Sequence, residues 1–318
     1  MTVRDLLGES VSAGVRSAMA GVWNRQWAPF CASAGDEPFQ PQEATVVYWM
    51  AQLKDRVAPA TIKKYLSVVS SICTMNGWPS PVHSPLIERV FRGIKRTSTM
   101  QPRPKRMPIT TGLLALLKPH FNLTKREDVV VWAAGCVGTY GLLRCGEFTV
   151  RHNRVAATLW QRHWVWLSAD LAQLTLDGSK TDPFRLGVSI KVAANSSVTC
   201  PLAAMRAMER LTPLDGAAPL FMMNDGSPLD RAALVGRFRQ AIADAGLDEA
   251  RFNGHSFRRG GAQSLSLAGV AEHDIQTMGR WASDCYKRYI GITAGQFARY
   301  SAAIGALPPA ADITIDSH

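Results

Sequence analysis

The chain has 318 residues, 47% of them apolar and only 19% charged, which supplies two packed cores and excludes a disordered chain. Thirty-six Lys and Arg against 25 Asp and Glu leave a net charge of +11, a balance that points to a polyanionic partner. No stretch reaches the length of a membrane span or a secretory signal, and the six cysteines lack ligand or C-x-x-C spacing, so the sequence predicts a soluble intracellular protein with reduced thiols and neither zinc nor cofactor.

The first hundred residues carry four helical stripes. Val15, Met19, Val22, Trp23, Trp27 and Phe30 fall at three- and four-residue steps. So do Val46, Trp49, Met50 and Leu53; Ile62, Tyr65, Leu66, Val69, Ile72 and Cys73; and Ile87, Val90, Phe91 and Ile94. Each stripe buries one helix face, which predicts an all-α bundle over residues 1–97. Pro59 marks a helix start, and "NGWPSP" at 76–81 a stop.

"TSTMQPRPKRMP", residues 97–108, has three prolines and no periodicity, and predicts an exposed linker over 98–108. Residues 88–108 hold seven basic side chains against one acid, so most of the excess charge gathers at this junction. Arg96, Arg103, Lys105 and Arg106 fit a strap along phosphates; a solvated linker or a nuclear-import signal has the same composition.

A second domain is predicted over 109–293, mixed α/β: mostly helix, with one small antiparallel sheet. Residues 127–143 are apolar and helical in pattern. Residues 163–194 alternate around "DGSKTDPF", as a hairpin or short meander does. Helical patterns return at 200–211, 228–242 and 255–290, the last broken at Gly269 and Gly279. Residues 294–318 read as a tail.

Nucleotide-loop, metalloprotease and serine-hydrolase signatures are absent, as are paired acids of the two-metal kind. Positive side chains instead recur at four sites: Arg144 in "GLLRCGEF", with Glu147; Lys180 in "DGSKTDPF"; His255, Arg258 and Arg259 in "GHSFRRG"; and "MGRWASDCYKRYI", with Trp281 and Tyr289. Each alone has a structural reading. An arginine three residues before a glutamate is a common helix ion pair, a turn lysine is solvated, a histidine at a helix start is a cap, and a late Trp and Tyr are core.

In order, these segments resemble the tyrosine recombinases, or phage-type integrases. The wording "HSFRRGGA…GRWASD…RYI" is most similar to the Crypton- and DIRS-like recombinases of eukaryotic mobile elements, which would place the protein in the nucleus. The resemblance covers about 109–293; over the N-terminal bundle it is one of architecture alone. It implies a multidomain fold: a helical core-binding domain and a catalytic domain of the DNA breaking-rejoining type, clamping double-stranded DNA and working as a synaptic tetramer.

The resemblance further implies roles. Arg144 and Arg258 would grip a phosphate in place of metal ions. Lys180 would protonate the leaving oxygen, and His255 would take the nucleophile's proton. Trp281 would donate its indole N–H or pack the site closed, and Glu147 would orient Arg144 or cap its helix. Tyr289 would attack phosphorus and leave a 3′-phosphotyrosyl link. Tyr286, one turn earlier, reads as core, and Tyr300 lies further on. Arg259 and Arg288 flank the site as phosphate contacts or surface charge, and Gly260 and Gly261 serve close helix packing. Two rival readings share this pattern: strand relaxation of the type IB topoisomerase kind, and a DNA-binding derivative that has lost its chemistry.

Overall fold

The computed structural model describes residues 10–100, 106–150, 159–177, 187–211, 216–289, 298 and 301–302. The chain divides into two compact units, Met1–Arg103 and Pro104–His318.

In the first unit a single rod runs from α1 (Ala13–Val22) through a π-helical turn at Trp23–Trp27 into α2 (Ala28–Ala34). Pro29 explains the turn. It has no N–H to offer the preceding carbonyls, and the ladder widens just before it, with the Ala28 N–H reaching back five residues to the Trp23 carbonyl. Gly35, at φ 68°, ends the rod in the left-handed region. Three further helices follow: α3 (Glu43–Lys54), α4 (Pro59–Met75) and α5 (Pro85–Thr97), where the Ser84 hydroxyl caps the Ile87 N–H at 3.1 Å. The predicted stripes meet in one core around Trp27, Trp49, Met50, Ile62, Val69 and Ile94.

The second unit is built on α7 (Arg126–Tyr140), buried on every side from Val129 to Thr139. Packed on it are α9 (Pro201–Leu211), α10 (Arg231–Asp244) and α11 (Ser256–Leu267), while α6 (Thr111–Leu117) lies against α11. A short α8 (Cys145–Phe148) follows α7 after the turn at 141–144, and α12 (Glu272–Met278) packs on α11. The meander is a three-stranded antiparallel sheet of β1 (Trp164–Ser168), β2 (Leu171–Leu176) and β3 (Val188–Ala193), in that spatial order. Leu174 pairs with Trp164 on one side and Ile190 on the other, and these three side chains face the core. All six cysteines are free thiols, and all but Cys285 are buried. Burial, with Asp36 nearby, pushes the Cys31 thiol up to about 12.

The expected exposed linker needs a correction at its far end. The Met107 N–H donates to the Arg251 carbonyl and the Ile109 N–H to the Ser256 carbonyl, both at 2.8 Å. Ile109 is buried. Pro108 leaves these two N–H groups as the donors of an extended segment, and they find acceptors at the 3₁₀ turn Glu249–Arg251 and at the first residue of α11. Residues 106–109 therefore belong to the second unit. The polar, Pro-rich composition concealed this because a single buried isoleucine carries the anchor.

Candidate active site

Two glycines bring the site's helices together. A Cβ on Gly260 would lie 1.7 Å from the Ile109 carbonyl oxygen, and one on Gly261 would lie 2.1 Å from the Thr139 carbonyl oxygen. Only glycine lets α11 press this closely on α7 and on the segment before α6.

Arg258, one turn into α11, points inward and is only 3% exposed. One Nη donates to the Leu142 carbonyl at 2.5 Å and the other to the Gly279 carbonyl. Its guanidinium stands over the Trp281 ring, 4.3 Å from the centroid. Burial, then the charges of Arg144 and Arg280, pull it down to about 10, so it stays cationic at neutral pH.

Arg144 is the residue before α8. Glu147 accepts its backbone N–H at 2.7 Å with one carboxylate oxygen and its guanidinium at 2.8 Å with the other. Both expected tasks of Glu147, orienting Arg144 and capping the helix, fall to one carboxylate. A third cation joins here that the sequence reading missed. Arg280 donates to Glu147 at 2.8 Å and leans on the Gly141 and Leu142 carbonyls at 3.5 and 3.4 Å. Burial, and then the charge of Arg144, lower the Arg280 guanidinium against the pull of Glu147. In the sequence its only signal is its place between Gly279 and Trp281.

Trp281 is buried and packs with Leu142, Ala262, Ile275 and Tyr286. Tyr289, just beyond the 3₁₀ turn Asp284–Arg288, is half-buried. Its ring sits 5.8 Å from Trp281, and the Arg259 guanidinium lies 5.5 Å from it on its other contact. The Arg258 guanidinium lies on the same Trp281 ring. Tyr286 differs. It is 3% exposed, and its hydroxyl donates to Glu272 at 3.4 Å. Burial, and then the Glu272 charge, raise its pKa above the ordinary phenol value.

His255 stands exposed at the start of α11, its backbone N–H donating to the Asn253 side-chain oxygen at 2.8 Å. Its carbonyl accepts the Arg259 N–H at 3.1 Å, the first hydrogen bond of the helix, while Arg258 three residues on is buried. Arg106 donates to the Ala250 carbonyl of its own unit. Arg96 is exposed in the last turn of α5, and Arg288 is exposed beside Tyr289. Lys180, Arg103, Lys105 and Tyr300, and all of 294–318 except residues 298, 301 and 302, lie outside the described residues. Among the described residues, no three His, Cys, Asp or Glu side chains converge as metal ligands, and no helix is long and apolar enough to cross a membrane.

The structure therefore gathers Arg144, Arg258, Trp281 and Tyr289 from three separated sequence segments, keeps the expected Glu147 and Arg259 beside them, and adds Arg280. Three solved structures share this architecture. One is the XerH site-specific recombinase bound to palindromic difH substrate in a post-cleavage complex, at TM-score 0.59 and 14% identity, over 84% of this chain and 71% of that one. Another is a lambda integrase dimer bound to a COC′ core site, at TM-score 0.59 and 12% identity, over 91% and 92% of the two chains. A third is the Tn1549 transposon integrase in complex with circular intermediate DNA, at TM-score 0.54 and 14% identity, over 95% and 99%. The fold is that of the tyrosine recombinases. No protein-family model and no curated protein sequence matches the chain, so the recombinase fold is recognised from its geometry.

Proposed function

We propose that the protein is a site-specific DNA recombinase that cuts and rejoins strands through a 3′-phosphotyrosyl intermediate, without a metal ion. The observation that carries this is the placement of Tyr289 against Trp281 and Arg259, with the Arg258 guanidinium on the same Trp281 ring, in the cluster that also holds Arg144. A phenol beside guanidiniums is the pairing that attack on a phosphodiester requires.

The Tyr289 oxygen attacks phosphorus, and the bond to the 5′-oxygen breaks. Arg144 and Arg258 stabilise the charge growing on the non-bridging oxygens. Arg258 has spent one N–H of each Nη on carbonyls, which fixes its plane and leaves the other hydrogens for phosphate. His255 takes the phenolic proton, and Lys180 protonates the departing 5′-oxygen. A 5′-hydroxyl from a second strand then attacks the link and releases the tyrosine. Bond energy is conserved, so no external energy source is needed.

On this reading residues 1–97 form a DNA-binding domain, 98–105 a basic connector, 106–293 the catalytic domain and 294–318 a tail, and Arg96, Arg103, Lys105 and Arg106 track phosphates in and beside the connector. Four copies act together on two DNA sites. The DNA-bound states of the three structural neighbours support a double-stranded DNA partner. The "GRWASDCYKRYI" wording favours a mobile-element recombinase of the Crypton or DIRS kind. Strand relaxation without exchange shares the covalent step and is separated from recombination by scoring joined products.

The test is covalent capture from a randomised library of nicked duplexes. The expected result is an SDS-resistant adduct that survives EDTA, is lost in Tyr289→Phe and persists in Tyr286→Phe. Loss in Tyr286→Phe alone overturns the nucleophile assignment, and loss with EDTA overturns the metal-free mechanism.

A further inference from the structure

We infer that Arg280 is a positioning residue of this site: it shares the Glu147 carboxylate with Arg144 and so fixes the Arg144 guanidinium for phosphate. This deepens the recombinase reading and rests on it.

Three observations converge on Arg280. First, Glu147 has two oxygens and three donors to satisfy. Oε1 takes the Arg144 guanidinium at 2.8 Å, while Oε2 takes both the Arg144 N–H at 2.7 Å and Arg280 at 2.8 Å. Without Arg280, Oε2 keeps only the backbone donor, and the carboxylate is free to rotate or to draw Arg144 into a two-point pair. Arg144 would then be turned towards Glu147 and away from a ligand.

Second, Arg280 belongs to a three-residue segment that serves Arg258 as well. The Gly279 carbonyl accepts from Arg258, and the Trp281 ring covers it. The Leu142 carbonyl accepts from Arg258 at 2.5 Å and from Arg280 at 3.4 Å. Arg280 therefore links the Arg144–Glu147 pair to the backbone on which Arg258 rests.

Third, Arg280 has φ 55°, in the left-handed region that favours glycine. Glycine would suit this backbone better. A strained arginine with a largely buried side chain is kept for what its guanidinium touches, not for the turn. Arg280 is not placed on the phosphate itself, because its hydrogen bonds run to Glu147 and to backbone carbonyls.

The conformation supplies an unusual test. Arg280→Gly relaxes the backbone while removing the guanidinium. The probe is a nicked duplex, selected on the wild-type protein, with a 5′-bridging phosphorothiolate whose thiolate leaves without a proton. Its use isolates nucleophilic attack from the general acid. Arg280→Gly should slow adduct formation about 10- to 100-fold, with duplex affinity changed less than about twofold. Arg280→Lys, which keeps one donor to Glu147, should restore part of the rate. Glu147→Gln should slow the reaction similarly, and the double variant should be no slower than the worse single variant, because both act through Arg144.

Additive losses in the double variant would overturn the inference, as would a weakened duplex affinity that accounts for the whole effect. So would unchanged rates in both Arg280 variants while Tyr289→Phe abolishes the adduct. If the wild type forms no adduct, or Tyr289→Phe still forms it, the recombinase reading itself fails. Should Arg280→Gly not fold, Arg280→Lys and Glu147→Gln carry the same cycle.

Discussion

The Arg258 guanidinium stands 4.3 Å from the centre of the Trp281 ring while both of its Nη atoms donate to backbone carbonyls, at Leu142 and Gly279. A planar, forked cation held on a ring face has no substitute among the other side chains. Arg258→Lys keeps the charge, reaches one carbonyl at a time and cannot stack flat. Its expected effect is a loss of about 1.5–3 kcal/mol in stability, read by urea titration, and a fall in adduct rate far larger than the fall in DNA affinity. Equal losses in rate and affinity would show that Arg258 only holds DNA.

Trp281 tests the other half of that contact. Trp281→Ala empties a buried site among Leu142, Ile275 and Tyr286 and should cost about 3–5 kcal/mol. Trp281→Phe keeps a ring under the guanidinium, and the loss should fall below about 2 kcal/mol. If the two variants melt alike, the ring contact contributes little.

The glycines allow a sharp contrast inside one domain. Gly260→Ala would set a Cβ 1.7 Å from the Ile109 carbonyl oxygen and 2.8 Å from the Thr110 nitrogen, and neither backbone atom can retreat without parting α6 from α11. The expected cost exceeds about 4 kcal/mol, seen as insoluble or molten protein by circular dichroism. Gly236 in α10 has nothing within 4 Å of an added Cβ, so Gly236→Ala should stabilise the same domain by about 0.5–1 kcal/mol.

Much of this was legible in the sequence because periodicity is local. The stripe from Val15 to Phe30 forms the α1–α2 rod, and the alternation at 163–194 forms the sheet. The π turn ahead of Pro29 was not legible from the stripe, since apolar spacing stays near helical through a one-residue widening. In the site, Arg144, Arg258, Trp281 and Tyr289 could be read together because ordered segments carry them. Arg280 could not. Its importance comes from a carboxylate 133 residues away in the chain, and from a left-handed φ that no composition signals. The docking of residues 106–109 escaped for the same reason: its acceptors are the distant carbonyls of Arg251 and Ser256.

The pair Asp128–Arg237 predicts an acid limb of stability. Arg237 donates to both Asp128 oxygens, at 2.6 and 2.8 Å, and to the His120 carbonyl at 2.6 Å, with its guanidinium 4.3 Å from the Phe121 ring centre. Burial pushes the Asp128 carboxyl up, but the Arg237 hydrogen bonds, the Asn122 N–H and the Arg237 charge outweigh it and hold the group below 3.8. Because the folded state binds this proton less readily than the unfolded chain, the stabilisation is present above the ordinary carboxylate value. It is lost as pH falls through the lower, folded one. Urea titrations between about pH 5 and pH 2.5 should show the wild type losing more stability than Asp128→Asn, which has no charge left to lose. Near neutral pH the order reverses in cost: Asp128→Asn should be weaker than wild type by about 1.5–3 kcal/mol, because the Arg237 guanidinium keeps its charge and loses its counter-ion. Parallel acid limbs in the two proteins would mean that a different carboxylate sets the acid stability of the second unit.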